Sequence, residues 1–183
     1  MVASGAGARV MIALVALAST AQADVLGLKF GMTVAQIQAA KPCKGLVANA
    51  AKSSLTCKAV RFAGAMMAAE LSVPKSGLAR VRFTTKIGGQ RKAAQPSADA
   101  ILDKLVETFG QLDMVAGPRD MAGAAVLFDN VDSSYTRFKG KLAAGAVFQA
   151  QQATDDGTRL SGKLVRDRSG YAIELGLRPD GPS

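Results

Sequence analysis

A strict two-residue alternation between positions 79 and 87 constrains the fold of this chain more than any other feature. Because successive strand side chains point to opposite faces, it predicts a half-buried strand with a cationic outer row. Two explanations of that row stay open: a binding face, or the charges by which edge strands resist aggregation. One set of alternate residues is mostly apolar and the other mostly cationic, namely Ala79, Val81, Phe83, Thr85 and Ile87 against Arg80, Arg82, Thr84 and Lys86.

Other patterns extend this strand into an α+β fold. A helix is followed by about three strands, and a second helix, capped by Ser97 and ended by Gly110, is followed by about four. This order predicts two helix-then-antiparallel-sheet units with the helices packed on one face of the sheet, although one curved sheet is also possible. The polar loop 88–96 is the natural boundary, so we expect units at 24–92 and 93–183.

The first helix has a well-defined start. Thr33 is a suitable N-cap, and Gln36 three residues later completes a capping box. Met32 and Ile37 stand where a hydrophobic staple would form, and Gly31 lets the chain turn into the helix. All five residues therefore have a structural explanation, and none is assigned a catalytic role.

The first 23 residues have the composition of a secretory signal peptide. Arg9 precedes an apolar run at 10–18, and Ala21-Gln22-Ala23 is a small-x-small cleavage site, so we expect cleavage between Ala23 and Asp24. The alternative is a buried N-terminal helix. No longer apolar run follows, so the mature chain is expected to lack a transmembrane span and to be periplasmic or secreted.

The chain has two cysteines, Cys43 and Cys57. An even number in an exported protein predicts a disulfide. The alternative, a redox-active dithiol, usually needs a Cys-x-x-Cys spacing, which these residues do not have.

Histidine is absent from the sequence. This excludes Ser-His-Asp and Cys-His nucleophile systems and leaves zinc without its usual ligands, so neither a metal nor another cofactor is expected. Met66 and Met67 could be soft copper ligands, but adjacent strand residues point to opposite faces, which favours a core-filling role.

Positive charge is concentrated in the front half of the mature chain. Residues 24–96 carry 12 Lys or Arg against Asp24 and Glu70, whereas residues 97–183 carry 10 against 12 Asp or Glu. Outside the cytoplasm the expected partner is an envelope protein or an anionic surface rather than nucleic acid, unless the charge only keeps the protein soluble. The candidate binding residues are Arg80, Arg82, Lys86, Arg91 and Lys92.

The stretch Gly31-Met32-Thr33 followed by Gln36-Ile37 resembles the entry to the first helix of the small outer-membrane lipoproteins of the barrel-assembly machinery. The doubled helix-plus-sheet layout also resembles the secreted β-lactamase-inhibitor proteins. These resemblances imply helices packed on antiparallel sheets and a non-enzymatic, protein-contacting role. The chain departs from the lipoproteins because it lacks a lipidated cysteine and has a second half that they do not have.

Three functions are compatible with the sequence. The first is a non-catalytic binding or scaffold module that contacts an anionic envelope partner. The second is an inhibitor of a secreted or envelope enzyme, which would use the segment 111–123 with Met114, Arg119 and Met121 as a protruding loop. The third is a His-free hydrolase built on Asp/Glu, Lys, Ser or a tyrosine, Tyr135 or Tyr171.

Overall fold

A computed structural model describes residues 26–116 and 145–181 of the chain. The predicted signal peptide at 1–23 with its cleavage site, Ala23 and Asp24, lies outside these ranges. So do Arg119, Met121 and Tyr135. Within the described ranges, neither helix is both long and apolar enough to cross a bilayer.

Two helices and eight strands make up the described parts of the chain, which confirms the predicted α+β class. The first helix is followed by four strands and the second by four more. In chain order the elements are α1 (Val34–Ala40), β1 (Val47–Asn49), a short 3-10 helix (Ala50–Lys52), β2 (Ser54–Phe62), β3 (Ala65–Ser72), β4 (Arg80–Gly88), α2 (Arg91–Phe109), β5 (Leu112–Ala116), β6 (Val147–Ala150), β7 (Thr158–Asp167) and β8 (Gly170–Pro179).

All eight strands join one antiparallel sheet in the order β1-β2-β3-β4-β8-β7-β6-β5. Strands β1 to β4 form one meander and β5 to β8 another, and the two meet where β4 pairs with β8. Strand β4 therefore has hydrogen-bonded neighbours on both sides, β3 and β8. Its cationic row cannot be an edge-strand defence against aggregation, so that explanation is wrong.

The sheet has a buried face and an open face. On β4, Val81 and Phe83 are buried while Arg80 and Arg82 are exposed, as the alternation predicts. We call the side that carries Val81 and Phe83 the inner face and the side that carries Arg80 and Arg82 the outer face. The inner-face side chains and the buried residues of α2, among them Leu102, belong to one core cluster.

Aromatic rings lie at the centre of this core. The Phe62 and Phe83 rings are stacked with centroids 4.1 Å apart, and Phe109 of α2 approaches Phe62 edge-on at 6.4 Å. Met67 is buried as a core residue, but Met66 is 54% exposed, so the core-filling role applies only to Met67.

The second helix begins earlier than the sequence suggests. It starts at Arg91 after Gln90 and includes Pro96, so Ser97 is not its N-cap and most of the predicted 88–96 loop is helical. The cause is tertiary: Ala94 and Ala98, on the first turns of the helix, are buried members of the core cluster. Their burial outweighs the single backbone hydrogen bond that a proline removes.

Helix α1 starts as its capping box predicts. The amide of Gln36 donates to the Thr33 hydroxyl, and the Thr33 amide donates to the Gln36 side chain at 2.8 Å. The preceding residues are also tied to the β3–β4 turn, because the Gly31 amide donates to the Leu78 carbonyl and the Leu78 amide to the Met32 carbonyl. These two bonds join the residues before α1 to the turn between β3 and β4.

Cys43 and Cys57 form the predicted disulfide, with Cα atoms 6.0 Å apart. Cys57 is a buried residue of β2, whereas Cys43 lies in the connection after α1. The bond therefore fastens that connection to the sheet.

We expect the double variant Cys43→Ser/Cys57→Ser to lose about 3 kcal/mol of unfolding free energy, because the bridge restricts the unfolded chain. Chemical denaturation with and without reductant measures the difference. The wild type should lose this stability in dithiothreitol and the double variant should be indifferent to it. Equal stability of the two proteins without reductant would contradict a structural role.

Gly162 gives a second test of the packing. A Cβ at this position would overlap the ring of Phe148, which is only 1% exposed and cannot swing away. We expect Gly162→Ala to cost about 1–3 kcal/mol of unfolding free energy. The matched control is Gly176→Ala on β8, where the new methyl would meet only the Ser161 hydroxyl at 3.1 Å.

A double-mutant cycle with Phe148→Leu separates this clash from a backbone effect. When Phe148→Leu is already present, the Gly162→Ala cost should fall by about 0.5–3 kcal/mol. An unchanged cost would show that Phe148 is not the obstacle.

Candidate functional site

The outer face carries a row of four directly opposed residues from four strands. Glu70 of β3 lies opposite Arg82 of β4, Arg82 opposite Gly176 of β8, and Gly176 opposite Ser161 of β7. Opposed residues in antiparallel strands place their side chains on the same face. The side chains of Glu70 and Arg82 thus stand on one side of Gly176, and the Ser161 side chain stands on the other side. Gly176 itself places no side chain between them.

Gly176 is one of the residues that line a depression in the sheet surface. The depression has a volume of about 370 Å³, and its walls come from β4, β6, β7 and β8. We call this depression, with Gly176 at its centre, the Gly176 notch. Its charged lining consists of Arg80, Arg82, Lys163, Glu174 and Arg178.

A smaller depression of about 160 Å³ adjoins the notch on the β3 side. It is lined by Glu70, Ser72, Arg80 and Arg82, so the two arginines border both depressions. Ser72 lies opposite Arg80 in the ladder between β3 and β4. The two arginines of the predicted cationic row therefore stand at the middle of the outer face.

Among the cations that line the notch, Arg82 alone forms an ion pair with a described residue. The guanidinium of Arg82 lies 3.7 Å from the Glu70 carboxylate, with both side chains about half exposed. Arg80, Lys163 and Arg178 are exposed and form no ion pair with another described residue. An exposed pair such as that of Arg82 contributes only about 0–1 kcal/mol to stability, so these cations are not required by the fold.

One further arginine near the site has a structural partner. Arg159 of β7 donates to the Asp180 carboxylate at 2.9 Å, which ties the start of β7 to the end of β8. It lies opposite Arg178 in the ladder between the two strands. Its charge is therefore balanced locally, unlike that of Arg178.

The structure does not gather all five predicted binding residues. Arg80 and Arg82 line the notch, whereas Lys86 lies four residues further along β4, about 13 Å away. Lys86 instead borders a groove of about 400 Å³ between α2 and the β2–β3 turn. Lys92 is exposed in the first turn of α2. The side chain of Arg91 is outside the described part of the chain.

Sequence reasoning missed the half of the site that comes from β7 and β8. The alternation along these strands identifies their inner residues, and the residues between them are those that face outward. What the sequence does not show is that β8 pairs with β4, about 90 positions earlier in the chain. The residues that this pairing adds are Ser161, Lys163, Glu174, Gly176 and Arg178.

Other predicted chemistry finds little support in the described residues. Within 26–116 and 145–181, no three Asp, Glu, Cys or His side chains are grouped so that they could hold a metal ion. Tyr171 is buried, with the guanidinium of Arg166 5.5 Å from its ring centre. The first part of the segment proposed as an inhibitory loop is strand β5, at Leu112–Ala116.

Two carboxyl groups with lowered pKa values lie in turns away from the notch. Hydrogen bonds from the side chain and amide of Ser169 hold the pKa of Asp167 below its ordinary value. For Asp156, partial burial is the largest influence and raises the pKa, but hydrogen bonds from Thr154 and Thr158 together bring it below the usual value. Both groups order β-turns and have no evident role in a site.

The cations that line the notch offer guanidinium and ammonium donors, which suit carboxylate and phosphate groups. Comparisons with known protein families, with curated proteins and with solved structures found no match.

Proposed function

We propose that this chain is an exported, non-catalytic binding module that holds an anionic envelope partner on its outer face. The binding residues are Arg80 and Arg82, from the predicted cationic row, together with Lys163 and Arg178. All four line the Gly176 notch. A protein-contacting role without catalysis is also what the resemblance to barrel-assembly lipoproteins and β-lactamase-inhibitor proteins implies.

The observation that carries this proposal is the position of the arginines on a central strand. Edge strands use charge to prevent pairing with other chains, but β4 is paired on both sides and needs no such protection. Nor do Arg80 and Arg178 stabilise the fold by ion pairs with the described residues. Arginine, with its planar fork of donors, is the side chain best suited to hold carboxylate or phosphate groups at an interface.

The proposal also includes export of the chain from the cytoplasm. The disulfide between Cys43 and Cys57 is typical of oxidising compartments, and it agrees with a chain that carries a signal peptide and works in the periplasm or outside the cell. Two helix-plus-sheet units at 24–92 and 93–183, with their helices on the inner face, would leave the outer face free for the partner. The pairing of β4 with β8 would then build the site across the boundary between the units.

Salt-dependent capture from envelope extracts tests this function. The mature protein is immobilised and exposed to extract at about 0.1 M and about 1 M salt, where charges are screened beyond roughly 10 Å and 3 Å respectively. We expect a partner that is retained at low salt and released at high salt. Arg80→Gln/Arg178→Gln should lose it, because both side chains are exposed and line the notch.

The matched control is Lys41→Gln/Lys44→Gln, which removes the same charge from exposed positions in the connection after α1, remote in sequence from β4 and β8. This variant should retain the partner. Thermal unfolding should show both doubles within about 1 kcal/mol of the wild type. Capture that is indifferent to salt, or that falls equally in both variants, would refute a role for the outer face.

A further inference from the structure

We propose that the Gly176 notch receives one carboxylate side chain, an Asp or Glu, from an acidic protein partner. This inference rests on the proposed function and makes it more specific. It names the point of contact, the group that enters it and the class of partner. Its evidence is the one gap in the row Glu70, Arg82, Gly176, Ser161.

The gap has the right width for a small anionic group. Neighbouring strands are about 4.8 Å apart, so the backbones of Arg82 and Ser161 stand about 10 Å apart with Gly176 between them. A side chain at this position would narrow the gap, since its Cβ would already lie 3.1 Å from the Ser161 hydroxyl. Glycine is not required by the backbone, since Gly176 has no positive φ. The space above it therefore calls for an explanation other than strand geometry.

Donors stand on both sides of the gap. The guanidinium of Arg82 has five N–H groups, and its contact with Glu70 is at 3.7 Å, which leaves donors for a second acceptor. On the other side, the Ser161 hydroxyl lies over Gly176, 3.1 Å from where a Cβ of that residue would stand. The hydroxyl donates to the Gly176 carbonyl at 3.4 Å. Arg80 and Arg178 supply further positive charge at one end of the notch.

The mixed signs on this face favour a protein over a membrane. Glu70 and Glu174 stand among the cations, directly opposite Arg82 and Lys163 respectively. A bilayer of anionic lipids would repel these carboxylates. A folded partner can place an acidic residue at the notch and basic or neutral residues opposite the two glutamates, which is how complementary interfaces achieve specificity.

The test fills the notch without changing any charge. Gly176→Val adds a β-branched side chain at the floor of the gap, and Ser161→Leu blocks the same gap from β7 while leaving β8 unchanged. Ala172→Val is the matched control, because Ala172 is on the outer face of β8 but does not line the notch. Near-wild-type inner-face resonances identify the variants that keep the fold.

The probe is a capped tri-glutamate peptide, followed by amide NMR shifts of the mature protein at low salt. We expect saturable shifts at Arg82, Ser161 and Gly176, and none with the tri-glutamine counterpart. Affinity should fall at least tenfold in Gly176→Val and Ser161→Leu and stay within twofold in Ala172→Val. Inorganic phosphate at matched ionic strength and phosphatidylglycerol vesicles are run as competing ligands.

The outcomes separate this inference from the proposed function. In one outcome, peptide binding requires Arg80 and Arg178 but is unchanged by both notch-filling variants. That result would overturn the notch as the point of contact and leave the proposed function of the outer face intact. Tighter binding of phosphate or of vesicles than of the peptide overturns the acidic-protein assignment. Binding that is unaffected by Arg80→Gln/Arg178→Gln overturns the proposed function itself.

Discussion

Strand β4 hydrogen-bonds to β8 from Val81, opposite Leu177, to Gly88, opposite Tyr171, and this ladder joins the two four-stranded meanders. Without it the inner face would be divided, and the side chains of Val81, Phe83, Leu175 and Leu177 would each lose neighbours in the core. Helix α2 contacts both strands of the ladder. The same backbone pairing therefore closes the core on one face and brings Arg80, Arg82 and Arg178 to one depression on the other.

Elements of this structure that depend on local interactions are predictable from the sequence, whereas those that depend on contacts between distant residues are not. Three predicted features are of the local or countable kind, and the structure contains all of them. They are the alternation at 79–87, the capping box of Thr33 and Gln36, and the disulfide between the only two cysteines of the sequence. The predicted start of α2 is wrong, because the burial of Ala94 and Ala98 in the core is a tertiary feature that the sequence around Pro96 and Ser97 does not show. Sheet order is the largest gap, since pairing between distant strands has no signal in one sequence.

That gap also explains why only half of the site is predictable. In the sequence, residues 24–96 carry an excess of positive charge and residues 97–183 a slight excess of negative charge. Yet Lys163 and Arg178 come from the acidic half and stand beside Arg80 and Arg82 once the ladder forms. A glycine at position 176 means nothing in isolation. It becomes informative only when its two neighbours across the sheet are known to be Arg82 and Ser161.

The origin of the site in two distant strands links binding to folding. Ordering β4 against β8 closes a loop of about 90 residues, a cost that only native packing on the inner face can offset. The outer-face cations add repulsion to that cost, because Arg80 and Arg178 are brought to one end of the same notch without a carboxylate partner among the described residues. An anionic partner would relieve this repulsion in the folded state alone and should stabilise it by mass action. The proposed binding therefore predicts that an anionic partner raises the stability of the folded protein, whereas a surface that serves only solubility predicts no such coupling.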